Sequence, residues 1–438
     1  MVLEQAESWG RLFRQQAESF APPSHEALVE TLSKGHKSLL PYGLGRSYGD
    51  SCLNLDGALL KSTHFDHFIE FDQDEGILRV EGGVTVADIL RVIVPKGYFL
   101  PVTPGTKYVT IAGAVANDVH GKNHFQDGTI GCHVTRFELL RSTGAKLICS
   151  PHEHGDLFKA TIGGLGLTGF MTWVELKLKK GSGYFDVETV KFRNLDEFFA
   201  ISEESNEEYC YTMSWVDCLA KGSQLGRGIF MRGNHATNPP AEPCEVSQRP
   251  RVAVPFEFPN FALNKFSIRL FNEVYFNKFR AFNRSINQHF EPFFYPLDAV
   301  HQWNYIYGKR GFFQYQFVVP RDAKDTLVKI FERIALSQQG SFLAVFKEFG
   351  DRESPGLLSF PKPGYTLALD FANLGDSTLQ LLTALDELVL EVGGSLYPAK
   401  DARMTSEVFR TCFPNYMDIE AHRDPAFSST FWQRVTRD

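Results

Sequence analysis

A glycine-rich segment near the start of the chain has the composition of an anion-binding loop. It reads Gly43-Leu44-Gly45-Arg46-Ser47-Tyr48-Gly49-Asp50, with three glycines in seven residues. Without Cβ atoms in the way, successive backbone N–H groups can converge on one anion, as they do around a pyrophosphate. Glycine-rich turns are common, so this segment alone leaves an ordinary turn open.

A second glycine cluster, at residues 163–169, contains a formal G-x-G-x-x-G pattern. In a Rossmann fold this pattern follows a strand and opens a helix, whose N-terminus then faces the pyrophosphate. Here the residues that follow, 170–178, alternate between apolar and polar with the period of a strand. The context therefore argues against a Rossmann fold.

Four histidines at close spacing raise the question of a metal site. His120 with His124, and His152 with His154, lack a further carboxylate or cysteine at the spacing of a metal site. We predict no metal, and interpret His120 as a pocket residue.

The elements around these motifs can be read from periodicity and caps. We expect a polar helix over residues 1–20, a helix over 25–34, and a strand at 38–42 that leads into the first glycine loop. Thr85 and Asp88 predict a capped helix that ends near residue 94. Residues 110–124 are rich in glycine, alanine and asparagine, which suits close approach of the backbone to a ligand.

The second half alternates strands and helices. Strand patterns at 312–320, 341–349 and 366–371 are followed by helical patterns at 323–336 and 378–392, which predicts an α+β arrangement. Residues 238–260 contain several prolines and predict a long loop.

Composition excludes several classes of protein. The formal net charge of −7 argues against a nucleic-acid-binding surface. The 7 cysteines are scattered, which favours a reducing compartment over a disulfide framework. There is no signal-peptide pattern and no apolar run long enough to span a bilayer, so we expect a cytoplasmic protein, peripheral at the inner face of the membrane at most. The 39 phenylalanines mostly predict core packing, and some could line an apolar substrate channel.

Taken together, residues 43–50, 104–124 and 163–169 resemble the vanillyl-alcohol-oxidase superfamily of flavoproteins, and the resemblance covers nearly the whole chain. Second-half motifs make it more specific, toward the branch that oxidises lipid-linked ribose. These motifs lie at residues 303–304, 311–317, 345–347 and 396–403.

The resemblance implies an α+β fold of two domains. An FAD domain would be formed by both chain ends, residues 1–180 and 395–438, with an antiparallel-sheet substrate domain inserted at 181–394. FAD is the implied cofactor, and Arg46 stands where some relatives carry a flavin-linking histidine, so we expect it to be non-covalent. The implied FAD-binding residues are Pro41, Tyr42, Gly43, Leu44, Gly45, Arg46, Ser47, Tyr48, Gly49, Asp50, Ser51, Gly105, Thr110, Ile111, Ala112, Gly113, Asn117, Asp118, Val119, His120, Met171 and Tyr397.

The resemblance also implies a sugar pocket. Its members would be Tyr48, His120, Gln314, Gln316, Lys347, Phe349 and Lys400. Oxidation of an alcohol needs a base for the hydroxyl proton, and a lysine serves only if burial or a second cation lowers its pKa. We expect Lys400 to be this base or a substrate anchor, and Lys347 to meet a phosphate. A solvated lysine remains the alternative for each.

Three positions depart from the pattern of this branch. Ala368 replaces a pocket cysteine, Thr366 an asparagine and Tyr305 an arginine. These changes affect the sugar and phosphate subsites rather than the fold.

The implied activity is oxidation of a ring hydroxyl of a polyprenyl-phosphate-linked pentose to a keto-sugar, as the first half of an epimerisation. An NAD(P)H-dependent short-chain reductase would complete it, and a quinone or another acceptor would take the electrons. The alternatives are a soluble alditol or aldonolactone oxidase that uses oxygen, and a catalytically silent flavin-binding protein.

Overall fold

The N-terminal part of the chain forms two larger sheets and one two-stranded sheet of β7 and β11 in the computed structural model, which describes residues 2–247, 250, 252–259 and 262–437. The first sheet has the strand order β1-β2-β4-β3, and the second β5-β6-β10-β8-β9. The elements are β1 (Val2–Glu7), β2 (Arg14–Phe20), α1 (His25–Ser33), β3 (Leu39–Tyr42), β4 (Ala58–Lys61), β5 (Phe68–Asp72), β6 (Ile77–Glu81), α2 (Val86–Ile93), β7 (Tyr98–Phe99), α3 (Ile111–Ala116), α4 (His124–Asp127), β8 (Val134–Leu140), β9 (Lys146–Cys149), α5 (Gly155–Thr161), β10 (Phe170–Lys177) and β11 (Lys179–Lys180).

The rest of the chain is built around an eight-stranded antiparallel sheet of order β16-β12-β14-β13-β19-β20-β18-β21. Its elements, with the helices that follow, are β12 (Tyr184–Phe192), α6 (Leu195–Ser205), β13 (Tyr211–Val216), β14 (Gly228–His235), β15 (Val252–Ala253), α7 (Lys265–Lys278), β16 (Phe282–His289), α8 (Phe290–Phe294), β17 (Val300–His301), β18 (Phe312–Val319), α9 (Lys324–Ser337), β19 (Ala344–Phe349), β20 (Gly364–Ala372), α10 (Asp376–Glu391), β21 (Ser395–Leu396), α11 (Ser406–Cys412), α12 (Tyr416–His422) and α13 (Thr430–Thr436). Mixed α and β content with antiparallel sheets is therefore confirmed.

The opening helix predicted over residues 1–20 is wrong, because β1 and β2 form an antiparallel hairpin there. Glu7 and Arg14 are cross-strand partners, and Arg11 adopts a left-handed conformation in the turn with φ +62°. Arg11 then pairs with Glu7 at 3.1 Å and with Glu257. Charged residues at the spacing of a helix can thus form their ion pairs in a hairpin instead.

Other local predictions are confirmed. Ser24 caps α1, and Thr85 accepts a hydrogen bond from the Asp88 amide at the start of α2. The G-x-G-x-x-G pattern leads into the strand β10 rather than a helix. The strands and helices predicted in the second half correspond to β18, α9, β19, β20 and α10.

Two predicted segments include residues that lie outside the described part of the chain. The long loop at 238–260 includes the short strand β15, paired in parallel with β17, while residues 248, 249, 251 and 260 lie outside the described residues. Met1 and Asp438, the outer ends of the predicted FAD domain, also lie outside them, and the division into domains stays a prediction.

The strands β18, β19 and β20 present one face to a core and the other to a cavity. On β18, Tyr315 and Phe317 belong to the largest hydrophobic cluster, whereas Gln314 and Gln316 line the cavity. Successive side chains of a strand point to opposite faces of the sheet, so the polar residues of this buried strand lie together on one face. Among the described residues, no helix has the length and apolar character needed to cross a bilayer.

Candidate active site

One cavity of about 470 Å³ brings the glycine-rich loops and the eight-stranded sheet together. Most of the residues predicted from the sequence line it. From the first half of the chain these are Pro41, Tyr42, Gly43, Leu44, Gly45, Arg46, Ser47, Tyr48, Ser51, Gly105, Thr110, Ala112, Gly113, Asn117, Val119, His120 and Met171. From the second half they are Gln314, Gln316, Lys347, Tyr397 and Lys400.

Four of the predicted FAD-binding residues do not line this cavity: Gly49, Asp50, Ile111 and Asp118. Asp50 is buried and pairs with Arg434 at 2.7 Å. Asp118 accepts hydrogen bonds from Ser354 and Ser359, each at 2.5 Å. A Cβ atom at Gly49 would meet the Asp401 carbonyl, and Ile111 is core. These four residues therefore contact other parts of the protein and hold the loops in place, and they do not face the cavity.

The first glycine loop offers unpaired donors to the cavity. The amides of Leu44, Gly45, Arg46 and Ser47 have no acceptor among the described residues, and neither does the buried Ser51 hydroxyl. Consecutive free amides on the wall of a cavity form an anion-binding nest.

Arg46 is fixed beside this nest. Its guanidinium stacks on Trp9 at 4.1 Å from the ring centroid and donates to the Tyr108 carbonyl at 3.2 Å. Burial lowers the pKa of Arg46, with the Asp298 carboxylate opposing this shift. An arginine still keeps its charge, so Arg46 supplies a positive charge beside the nest.

A buried carboxylate stands near the expected base. Gln314 donates to the Asp370 Oδ1 atom at 2.7 Å, and the other oxygen of Asp370 has no hydrogen-bond partner among the described residues. Burial raises the pKa of Asp370, and Gln314 and Lys400 oppose this shift. Burial also lowers the pKa of Lys400, whereas Asp370 raises it. The pKa of Lys400 is thus lowered by burial and not by a second lysine.

Tyr48 completes this group. The Lys400 ammonium lies 5.6 Å from the centroid of the Tyr48 ring. Burial raises the pKa of Tyr48 well above its usual value, with the Asp370 charge acting in the same direction. Tyr48 therefore stays a neutral phenol that can donate or accept a hydrogen bond.

A second chain of hydrogen bonds runs from β20 to Lys347. Thr366 donates its hydroxyl proton to the Phe317 carbonyl at 2.7 Å, so it accepts from the Gln316 amide at 3.1 Å. The same Gln316 amide nitrogen lies 3.0 Å from His120 Nε2 and donates to it. The other ring nitrogen of His120, Nδ1, lies 3.1 Å from the Lys347 Nζ atom.

Lys347 is buried at the end of this chain of hydrogen bonds. Its pKa is well below the usual value because it is buried, with Lys122 and Lys400 adding to the effect. Burial, Lys347 and Lys400 also hold the pKa of His120 well below its usual value. Lys347 in turn donates to the Gly121 carbonyl. Burial and the neighbouring charges thus lower the pKa of both His120 and Lys347.

The remaining pocket positions differ in their contacts. Phe349 does not line the cavity but packs on the His120 ring at 4.9 Å. Ala368 and Thr366 line the cavity. Tyr305 does not, and its ring lies under the Arg11 guanidinium at 4.2 Å. Of the three altered positions, Thr366 and Ala368 therefore line the cavity and Tyr305 does not.

Sequence reasoning missed Asp370, Asp298 and Trp9. Asp370 is the one carboxylate in the otherwise apolar run 367–371. A charged residue in such a strand could have indicated a functional residue. Asp298 accepts from the Lys107 amide at 2.8 Å and lines the cavity. Trp9 lies in the segment wrongly expected to be helical, so its position over Arg46 could not be foreseen.

Comparison with known proteins agrees with this geometry. A family model described as an FAD binding domain matches residues 20–150. The decaprenylphosphoryl-β-D-ribose oxidase of Mycolicibacterium smegmatis is 34% identical, over 98% of this chain and 96% of its own length. The chain belongs to the family of this oxidase. More distant relatives are an alditol oxidase of a Streptomyces species, 26% identical over 36% of this chain, and a putative D-arabinono-1,4-lactone oxidase of Neurospora crassa, 25% identical over 39%.

The protein is therefore an FAD-dependent oxidoreductase, and the cavity suits this cofactor. The free amides of residues 44–47 and the charge of Arg46 provide what a diphosphate requires. A Cβ atom at Gly105 would meet nothing within 4 Å, whereas one at Gly43 would clash with Thr110 at 2.3 Å. Gly43 thus packs against Thr110 with no room for a side chain, whereas the space beside Gly105 is open.

Proposed function

We propose that the protein oxidises a ring hydroxyl of a polyprenyl-phosphate-linked pentose to a keto-sugar, as the first half of an epimerisation. The observation that carries this proposal is the group of Tyr48, Gln314 and Lys400 on the cavity wall, with Asp370 bonded to Gln314, in a chain similar over 98% of its length to an oxidase of decaprenylphosphoryl ribose. The alditol and lactone oxidases match less than half of the chain, which disfavours them as models of the substrate.

In this proposal Lys400 takes the proton of the reacting hydroxyl. Bound FAD supplies the acceptor for the hydride, so that one proton and one hydride leave the alcohol together. Burial lowers the pKa of Lys400, which makes its neutral form available as a base. Asp370 faces the ammonium that forms, and Gln314 holds Asp370 in place at 2.7 Å. Tyr48 orients the sugar hydroxyl as a neutral phenol.

Lys347 would meet the phosphate of the substrate. It lies on β19, where burial and neighbouring cations hold its pKa well below the usual value. A phosphate brought to this position stabilises the ammonium form and raises the pKa of Lys347. His120 and Gln316 keep the amine in place through the hydrogen bonds described above.

The proposal assigns an FAD domain to residues 1–180 and 395–438, and a substrate domain to 181–394. Two contacts between the chain ends support it. Arg434 on α13 pairs with Asp50 beside the glycine loop, and Tyr397 donates to the Asn117 carbonyl at 2.8 Å. FAD would be non-covalent, because Arg46 cannot form a flavin bond.

The further partners follow from the chemistry. The keto-sugar would be reduced by an NAD(P)H-dependent short-chain reductase, and a quinone or another acceptor would reoxidise the flavin. A polyprenyl tail remains in a bilayer, so we propose a cytoplasmic enzyme that is peripheral at the inner face of the membrane.

Anaerobic flavin reduction tests the substrate class. The FAD-loaded protein is mixed with polyprenyl-phosphoryl pentoses in one series and with free alditols and aldonolactones in another, and the bleaching of the flavin is followed. We expect bleaching only in the first series. Bleaching by alditols or lactones alone would overturn the proposal in favour of a soluble sugar oxidase.

A further inference from the structure

The outer face of α7 is apolar and exposed. Phe266, Leu270 and Val274 follow one another at a spacing of four residues, and their side chains are 69%, 67% and 62% exposed. We call these three residues the α7 stripe. Residues at this spacing share one face of a helix.

The opposite face of α7 is already used for packing. Ile268, Asn272 and Phe276 are its buried residues, and they too recur every four positions, about half a turn away from the stripe. A helix that is apolar on both faces is usually buried on both. The inner face is covered by the eight-stranded sheet, and in the described residues nothing covers the stripe.

The surroundings of the stripe are basic. Residues 265–280 carry Lys265, Arg269, Lys278 and Arg280 against the single carboxylate Glu273, four positive charges against one negative, in a chain with a net charge of −7. All four cations are exposed. Glu273 is paired with Arg227, which neutralises it further. An apolar face flanked by cations is complementary to an anionic lipid surface.

The same helix also forms part of the cavity wall. Tyr275 lines the cavity and packs on Trp215 with 4.7 Å between the ring centroids. A surface that bound lipid through the stripe would therefore hold the cavity close to the bilayer.

We infer that the α7 stripe and its flanking cations dock the protein on an anionic phospholipid bilayer. The apolar side chains enter the boundary between head groups and acyl chains, and the cations contact lipid phosphates. The inference deepens the proposed function by naming the surface through which an enzyme of a lipid-linked substrate meets the membrane. It does not depend on turnover, so it can fail or hold independently of that function.

Vesicle co-sedimentation tests this inference. The FAD-loaded protein is mixed with vesicles of phosphatidylglycerol and phosphatidylcholine in equal parts, and with vesicles of phosphatidylcholine alone. We expect binding to the anionic vesicles that decreases with salt. The triple variant Phe266→Ser/Leu270→Ser/Val274→Ser should bind the anionic vesicles at least about tenfold more weakly, because three apolar anchors are lost.

A matched variant controls for the loss of exposed apolar side chains. Leu3, Leu336 and Met417 are 66%, 68% and 57% exposed and lie on other elements, so Leu3→Ser/Leu336→Ser/Met417→Ser should bind like the unchanged protein. The flavin spectrum of both variants should be that of the unchanged protein. Lack of binding to anionic vesicles, or equal binding by the α7 variant, would overturn the inference. Light scattering gives a second test. A dimer that dissociates in the α7 variant and not in the control variant would also overturn the inference, because the stripe would then be a contact between two copies of the chain.

Discussion

At the scale of single residues, Lys400 carries the proposed chemistry. The structure gives it a half-buried position on the cavity wall and a pKa lowered by burial. Lys400→Ala should slow substrate-driven flavin reduction by about 10²–10⁴-fold, the usual contribution of a positioned base. Stopped-flow absorbance under anaerobic conditions measures this rate.

The spectrum of bound FAD should stay unchanged in Lys400→Ala, because the predicted diphosphate contacts lie on the glycine loop. Lys221→Ala, in an exposed turn, is the control and should reduce the flavin at the native rate. Reduction at the native rate by Lys400→Ala would remove this lysine from the mechanism.

Asp370 should set the pH at which Lys400 becomes active. Burial lowers the pKa of Lys400 and the Asp370 charge raises it, so Asp370→Asn removes the opposing effect and the pKa decreases further. A base acts in its deprotonated form, and the rate of flavin reduction rises with pH through this pKa. The acidic limb of the rate profile should therefore move to lower pH in Asp370→Asn.

The exposed Asp376→Asn on α10 is the matched control and should keep the native profile. A profile of Asp370→Asn that is unchanged, or that moves to higher pH, would contradict a direct charge effect of Asp370 on the base.

At the scale of elements, sequence reasoning succeeded where one local pattern decided the outcome. The capped helix α2 and the strand after the G-x-G-x-x-G pattern needed only a few adjacent residues. The N-terminal hairpin could not be foreseen, because Arg11 is satisfied by Glu257, which is far away in the sequence. The pocket lysines were predicted by resemblance, but the pairing of Lys347 with His120 depends on the alignment of β18, β19 and β20.

The first glycine loop predicts how FAD is held. The family resemblance implies that Arg46 stands where some relatives carry a flavin-linking histidine, and its guanidinium is held on Trp9. Acid precipitation of the purified protein should therefore leave the yellow flavin in the supernatant. Flavin that stays with the precipitated polypeptide, detected by its fluorescence in a denaturing gel, would show a covalent bond.

The ion pair between α13 and the glycine loop should contribute to stability. Asp50 is fully buried, and Arg434 is the cation that opposes the cost of burying it. Arg434→Gln leaves this carboxylate without a charge partner, and removing one partner of a buried pair costs about 3–5 kcal/mol. Urea unfolding at saturating FAD measures the free energy of unfolding.

The neighbouring Arg437→Gln, which is exposed, should change this free energy by less than about 0.5 kcal/mol. Equal stability of the two variants would mean that Asp50 is protonated in the folded protein and needs no cation.

At the scale of the whole molecule, the cavity and the α7 stripe are joined by one helix. Tyr275 faces the cavity, while Phe266, Leu270 and Val274 face outward. If the stripe holds the protein at a bilayer, a substrate with a long polyprenyl tail meets it in two dimensions, whereas a short-chain analogue meets it in solution. The two substrates should therefore respond differently to anionic vesicles.

We expect kcat/KM for the long-chain substrate to rise when anionic vesicles are added, and kcat/KM for the short-chain analogue to stay constant. The α7 triple variant should lose this rise and keep the native short-chain rate, because none of its three residues lines the cavity. A rise of equal size for both substrates would point instead to a change in the cavity itself. In that case α7 would transmit lipid binding to Tyr275 and Trp215 rather than bring the enzyme to its substrate.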